Sequence, residues 1–151
     1  MENEKLLELL RYQADNLNAL LETILVKQRA IVANDITAIE NATASEEKLL
    51  LAVNQAEKAR VEFMNGFYDE NLSKFSTVQM DDFLNMIAGT LEPLQKEEIN
   101  LLRKEIKNIS KEIIKINEQN KFLIAQSRKL INEVVTAIFS ERGNSLLDRK
   151  V

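Results

Sequence analysis

The sequence predicts an all-α fold, an elongated antiparallel helical hairpin or bundle with a long C-terminal helix and a flexible tail. Only 3 Gly and 1 Pro occur in 151 residues, so few positions interrupt a helix. Hydrophobic residues make up 45% of the chain but aromatic residues only 5%, with no Trp, which favours an elongated bundle over a compact aromatic core. The length fits a single domain, predicted at residues 1–140, followed by a flexible tail at 141–151.

Leucines and isoleucines at heptad spacing predict a first helix over about residues 3–33. The members of this series are Leu6, Leu10, Leu17, Leu20, Ile24 and Ile31. Gln13 and Lys27 occupy the two missing positions of the series. Asn34 and Asp35 follow as a helix break, because an amide or carboxylate can cap the next helix by accepting hydrogen bonds from its first N–H groups.

Two further helices are predicted between this break and Gly89. The apolar pattern resumes after the break and predicts a second helix over about residues 36–70. A short third helix is predicted over about 77–88, because Ser76 and Gln79 have the spacing of a capping box. Gly89 then closes the third helix.

The last helix is predicted to run over about residues 91–140. Thr90 supplies a hydroxyl cap, and Pro93 lies in the first turn, where its missing N–H costs little. The apolar series advances in alternating steps of four and three residues, which is an unbroken heptad register. Its members are Leu102, Ile106, Ile109, Ile113, Ile116, Asn120, Leu123, Ser127, Leu130, Val134 and Ala137. At ~1.5 Å per residue such a helix spans on the order of 70 Å, so part of it projects or pairs with an equally long partner.

Two asparagines interrupt the isoleucine-rich stretch "IIKINEQNKFLI" of this helix. Asn120 falls on the heptad seam, where a buried amide costs stability but selects register and oligomeric state. Asn117 lies on an adjacent part of the same face, and Ser127 takes the seam position one heptad later. The amides are therefore either a lock inside a coiled coil or a docking place for a partner.

The apolar surface of the last helix widens beyond Asn120. Ile124, Ile131 and Ile138 form a second row beside the seam, and Val134 and Val135 widen it further. A stripe this broad exceeds what one antiparallel neighbour covers. Either a second helix of the same chain covers it or another molecule does.

The residue types that most enzyme chemistry uses are missing. The chain has no Cys and no His, which excludes thiol nucleophiles, imidazole bases, disulfides and the common zinc ligands. The adjacent carboxylate pairs, such as Asp81-Asp82, diverge around a helix and are typical of a solvated face. We therefore expect no catalytic residue, no metal site and no cofactor.

Charge and hydropathy restrict the partners and the compartment. A net charge of -4, with acids and bases interspersed, argues against broad attraction to nucleic acid or to anionic membrane. No stretch is apolar enough for stable membrane insertion, and residues 1–11 carry acids where a secretory signal carries bases. The default prediction is a cytoplasmic protein that binds other proteins.

The C-terminal half resembles that of FlgN-type flagellar export chaperones. The resemblance lies in the segment Ile116 to Leu123, the apolar helix after it, and the terminal Leu-Leu-Asp-Arg-Lys-Val. The leucine-rich opening helix, the Asn34-Asp35 break and the following Lys48-Leu49-Leu50 look like the long first hairpin of the family. The resemblance covers most of the chain.

The resemblance implies a non-enzymatic cytoplasmic chaperone. Its partners would be hook-associated (hook–filament junction) proteins and the flagellar type III export machinery. The implied substrate groove comprises Asn117, Asn120, Leu123, Ile124, Ser127, Leu130, Ile131, Val134, Val135 and Ile138. The implied export-gate contacts are Phe139, Leu146, Leu147 and Arg149, although the tail lacks a tyrosine, a departure that weakens the gate assignment.

The residues also fit a different class of protein. A homo-oligomeric coiled-coil structural or adaptor protein would pair two copies through the seam from Leu102 to Ala137, with Asn120 as the lock between them. The sequence leaves the oligomeric state open.

Overall fold

A computed structural model describes residues 2–66 and 79–149, with side chains described for 2–66 and 79–140. Within these ranges every regular element is a helix, so the predicted all-α fold with a long C-terminal helix is confirmed. The elements are α1 (Glu2–Val32), α2 (Ile36–Asn65), α3 (Met80–Ile87), a 3₁₀ turn (Ala88–Thr90) and α4 (Pro93–Arg149). The division into one domain at 1–140 and a tail stays a prediction.

The turn between α1 and α2 lies at the Asn34-Asp35 pair. Asn34 has φ 54°, a left-handed conformation that Asn tolerates better than most residues. The Asp35 N–H donates to the Ala30 carbonyl at the end of α1, and the Asp35 carboxylate accepts from the Ala38 N–H at the start of α2. One short pair of polar residues thus closes one helix and opens the next.

The connections around α3 depart from the predicted helix signals. Residues 76–78 of the predicted capping box, and the predicted extension of α2 to residue 70, lie outside the described residues. Gln79 is the N-cap residue of α3 and makes no side-chain capping bond. The predicted hydroxyl cap at Thr90 is wrong, because α4 begins at Pro93, two residues later than a cap at Thr90 requires; the Thr90 hydroxyl donates back to the Ile87 carbonyl. At the start of α4, the Glu92 N–H instead donates to the Gln95 side chain at 3.1 Å.

The α4 helix is longer than predicted. Its backbone continues to Arg149, past the predicted end near residue 140. Gly143 lies within this extension, but a single glycine inside a helix costs only ~1 kcal/mol relative to alanine. Proline would be a much stronger stop, and none follows Pro93.

Helices α1 and α4 run parallel to each other. Arg11 donates to the Glu98 carboxylate and Asn18 to the Glu105 carboxylate. Both pairs are separated by 87 residues, and the second pair lies seven residues after the first on each helix. The two helices therefore keep one register over successive heptads, as in a parallel coiled coil.

Helix α1 contacts both α2 and α4, and its two faces carry the core. Near its N-terminus it packs with α3 around Leu6, Leu7, Leu10, Met64, Phe83, Ile87 and Ile99. Farther along it packs with α4 around Leu17, Leu20, Ile24, Ile109, Ile113 and Ile116, with Leu49 and Val53 of α2 against them. The core is thus a narrow series of apolar layers along α1, as expected for an elongated bundle.

The polar members of the α1 heptad series bind carboxylates of α2. Gln13, only 9% exposed, donates to Glu57 at 2.7 Å, and the Lys27 ammonium lies 2.9 Å from the Glu46 carboxylate. The pairing of an early α1 residue with a late α2 residue, and the reverse, makes this hairpin antiparallel. A shift in register would leave these half-buried charges without partners, so they fix the alignment of α2 on α1.

The ionisation of the Glu57 carboxylate is coupled to the stability of the fold. Hydrogen bonds from Arg60 lower the pKa of Glu57 below its ordinary value of 4.5, helped by the Arg60 charge and by Gln13, while partial burial raises it less. A lowered pKa in the folded state stabilises the fold above about pH 4.5, and this contribution is lost as the pH falls through the folded value.

We therefore predict that Glu57→Gln lowers the free energy of unfolding at pH 7 by about 0.5–1 kcal/mol, a modest loss because the carboxylate is partly solvated. The variant should also lose part of the decline in stability on acidification. Urea unfolding at pH 7 and pH 3.5 measures both effects. Glu47→Gln, on the exposed face of α2, is the matched control. Identical pH dependence in wild type and Glu57→Gln would contradict this role.

Candidate functional site

The seam of α4 is covered by α1 only as far as Asn120. Ile113, Ile116 and Asn120 are buried, whereas Leu123 and Ile124 are half-buried. From residue 125 to residue 140 every side chain is exposed. The cover ends there because α1 ends. The Gln28 amide of α1 donates to the Gln119 side chain at 3.0 Å, and α1 ends four residues later at Val32.

Beyond this point α4 projects from the bundle as a single helix. Residues 125–149 extend roughly 37 Å at ~1.5 Å per residue. The apolar side chains of residues 125–140 keep the heptad pattern of the covered part but are exposed. We call the exposed apolar set the open stripe, and its members are Leu130, Ile131, Val134, Val135 and Ile138, which are 42–61% exposed.

The row of residues beside the seam changes from polar to apolar where α1 stops covering α4. Within the bundle this row consists of Arg103, Ser110 and Asn117, all half-buried and polar. Ile124 and the isoleucines of the open stripe continue the same row at seven-residue intervals. The sequence thus adds apolar surface to α4 at the place where the chain stops covering it. Contiguous exposed apolar surface of this kind is typical of an interaction site.

A cleft of about 480 Å³ lies where α4 leaves the bundle. The end of α1 forms one wall with Ile31 and Val32. The side chains of α4 that line it are Leu123, Gln126, Ser127, Lys129, Leu130 and Glu133. The cleft continues the line of α1, so the first turn of a helix packed on the open stripe could lie against the end of α1.

Asn120 holds α4 to α1. Its side chain is 3% exposed, and its Nδ2 donates to the Ile24 carbonyl at 3.3 Å. Its Oδ1 is buried and has no hydrogen-bond partner among the described residues. The amide is therefore a lock within one chain, and the seam from Leu102 to Asn120 is not free to pair with a second copy.

The predicted groove residues thus fall into two groups. Asn120 lies inside the bundle and Asn117 is half-buried beside it, whereas Ser127 and the open stripe are exposed together on α4. Leu123 and Ile124 lie at the boundary. The part that any of them plays in binding a partner stays a prediction.

Of the predicted export-gate residues, Phe139 is 69% exposed. The side chains of Leu146, Leu147 and Arg149 lie outside the described ones, although the backbone there belongs to α4. A role in export stays a prediction for all four.

Sequence reasoning missed three apolar residues near the point where α4 leaves the bundle. Val32 is 72% exposed at the end of α1, Phe122 is 62% exposed on α4, and Ile31 forms part of the wall. A second, shallower cleft of about 380 Å³ includes Phe122 and Gln28. The available signal was the pair Ile31-Val32, two adjacent apolar residues of which a single helix face can bury only one.

The described residues contain no group of three or more Asp or Glu placed to hold a metal ion. In the same part of the chain no helix has the length and apolar character that crossing a membrane requires. What the described surface presents is apolar contact area on a projecting helix.

The model of the FlgN protein family matches residues 1–147 of the chain. No curated protein and no solved structure is significantly similar to this chain. Because the match covers nearly the whole sequence, the chain belongs to the FlgN family. This is a family of flagellar export chaperones without known enzymatic activity, so a general chaperone role for flagellar proteins follows.

For Asn120→Leu we predict a bundle that is more stable by ~1–2 kcal/mol, because an amide with one unpaired buried oxygen is replaced by an apolar side chain. Urea unfolding measures the change. Asn117→Leu, at a half-buried position without a hydrogen bond among the described residues, should change stability by less than about 0.5 kcal/mol. A clear loss of stability in Asn120→Leu would contradict this prediction. It would show that the hydrogen bond to Ile24 stabilises the fold by more than burial of the amide costs.

Proposed function

We propose that this FlgN-family chain is a cytoplasmic chaperone that binds hook-associated proteins and delivers them to the flagellar type III export machinery. The supporting observation is the open stripe, which projects beyond the bundle with no cover from the described residues. The family supplies the general chaperone role, and the open stripe supplies a surface with which to perform it.

The proposed contact is a helix packed into a groove. A helical segment of the substrate would lie along α4 and continue the line of α1, so that the heptad seam gains a second wall. Leu130 and Val134 then become the centre of the contact, while Leu123 and Ser127 lie near the end of α1. Burial contributes roughly 25 cal/mol per Å² of apolar surface removed from water. The same contact would cover an aggregation-prone face of the substrate before export.

In this proposal Ser127 lowers the affinity of the contact, so that the substrate can be released. It occupies a seam position between Leu123 and Leu130 and is exposed in the free chain. A small hydroxyl there contributes less apolar burial than a leucine would. A delivery chaperone must release its substrate, so a seam with one weak layer near the bundle suits the role.

Delivery is assigned to the outer end of α4. Phe139 is exposed on the side of the helix away from the seam, one turn after Val135, so a substrate centred on Leu130 and Val134 leaves it accessible. With Leu146, Leu147 and Arg149 it is the proposed contact for the export machinery. Substrate and export machinery would then use different parts of the same helix.

A homo-oligomeric adaptor is the second candidate function, favoured by the same open stripe, since two copies could cover each other. Of the heptad seam of α4, only the part beyond Asn120 is exposed for this pairing. Sedimentation of the protein alone and with a purified hook-associated protein separates the candidates. The chaperone proposal expects a 1:1 complex, and a tight homodimer indifferent to the substrate would overturn it.

We predict that the double substitution Leu130→Asp and Val134→Asp weakens binding to a hook-associated protein at least about 100-fold, because two desolvated carboxylates would face the apolar seam. Since both side chains are exposed in the free chain, circular dichroism should show little loss of helix. Isothermal titration with the purified full-length proteins measures the affinity.

Asn132→Asp is the matched control for this pair. It adds a carboxylate to the same projecting segment, but on the opposite side of the helix, where it is exposed. It should leave the affinity within about twofold of wild type. Equal losses in the control and in the double variant would place the contact elsewhere.

A further inference from the structure

The charge of the chain is divided unevenly between the bundle and the projecting helix. Residues 1–120 contain 14 Lys or Arg and 21 Asp or Glu, whereas residues 121–151 contain six and three. The first part is therefore net −7 and the second net +3. The apolar surface that lacks cover lies on the positively charged part of an acidic protein.

Basic side chains lie along one border of the apolar surface. Arg128 lies four residues after Ile124, so it is next to the isoleucine row on the helix surface. Lys121 precedes it by one heptad, Val135 follows, and Arg142 takes the next heptad position in the sequence. Lys121 makes one exposed contact with Glu118 at 3.3 Å, and Arg128 makes no ion pair among the described residues. The other border carries Gln126, Glu133 and Ser140, and there the exposed Lys129 lies one turn before the Glu133 carboxylate, so that side has no net charge.

We infer that the surface selects an amphipathic helix with a row of carboxylates along one flank, facing Lys121 and Arg128. The inference rests on the proposed function, and it adds the chemical class of the segment that binds. Opposite charges on the rim of a helix-in-groove contact set partner choice, alignment and association rate more than total affinity. The acidic bundle repels the same carboxylates, so an acidic partner helix is directed to the projecting part of α4.

Two other occupants fit the charges less well. A second copy of this chain would bring another segment of net +3 against the first, and like charges would oppose pairing. An anionic membrane would attract Lys121 and Arg128, but Glu133 lies on the other border of the open stripe, and the bundle that α4 continues is net −7. An acidic helix has the charge opposite to that of the projecting segment, and it lies along that segment rather than along the net −7 bundle.

The test uses the full chain and two synthetic 21-residue helical peptides, both with leucine at the seam positions. One carries glutamate at the flanking positions and the other lysine. Fluorescence anisotropy in 50 mM NaCl should show that the acidic peptide binds about tenfold more tightly than the basic one. In 300 mM NaCl the difference should fall to about threefold.

Substitution of Lys or Arg by Glu tests which basic residues attract the acidic peptide. The double variant K121E/R128E should bind the acidic peptide about tenfold more weakly than wild type. K104E/K111E makes the same charge change at the same spacing on the covered part of α4, where both lysines are exposed, and should change binding less than about twofold. Equal affinity for the two peptides, preference for the basic peptide, or binding of neither would overturn the inference. So would binding to phosphatidylglycerol vesicles with no preference between peptides.

A parallel titration with purified hook-associated proteins separates this inference from the proposed function. If they bind wild type and K121E/R128E equally well, the chaperone proposal stands and the acidic-flank inference fails. If the acidic peptide binds selectively but no hook-associated protein does, the inference stands and the proposed substrate class fails.

Discussion

The difference in length between α4 and the helices that cover it determines the rest of the structure. α4 has 57 residues, whereas α1 has 31 and α2 has 30. Because α1 runs parallel to α4 and begins level with it, the whole excess of α4 falls at one end. The heptad pattern does not stop where the cover stops, so the chain continues to place apolar residues on a surface that it does not itself bury.

Polar contacts fix where that excess begins. Gln13 and Lys27 align α2 on α1 through carboxylates, and Asn120 binds the backbone of α1 just before the cover ends. Each would be left buried without a partner after a shift in register. The last covered layer is therefore a polar one, and the exposed apolar layers follow directly. A purely apolar seam would allow α1 and α4 to slide, which would vary the length of the open stripe from one molecule to another.

Periodicity predicted the fold class, the apolar faces of α1 and α4 and the break at Asn34-Asp35, because each depends on local chemistry. The parallel pairing of α1 with α4 could not be predicted in this way, because a heptad pattern has no direction. Whether the residues from Leu123 to Ile138 were core or surface depended on the axial alignment of α1 and α4, which a heptad pattern does not specify. Thr90 shows the limit of local patterns, because a hydroxyl before a proline suggested a cap, whereas α4 begins only at Pro93 and the Thr90 hydroxyl donates to Ile87.

Hydrogen–deuterium exchange on the full chain, alone and with a purified hook-associated protein, tests most directly whether α4 is one helix with a covered and an open half. In the free protein, amides of residues 99–123 should exchange slowly and those of 127–140 much faster, because a single projecting helix opens more easily than a packed one. The partner should slow exchange in 127–140 while leaving 99–120 nearly unchanged. Equal protection along the free helix, or partner-induced protection confined to α2, would contradict the account.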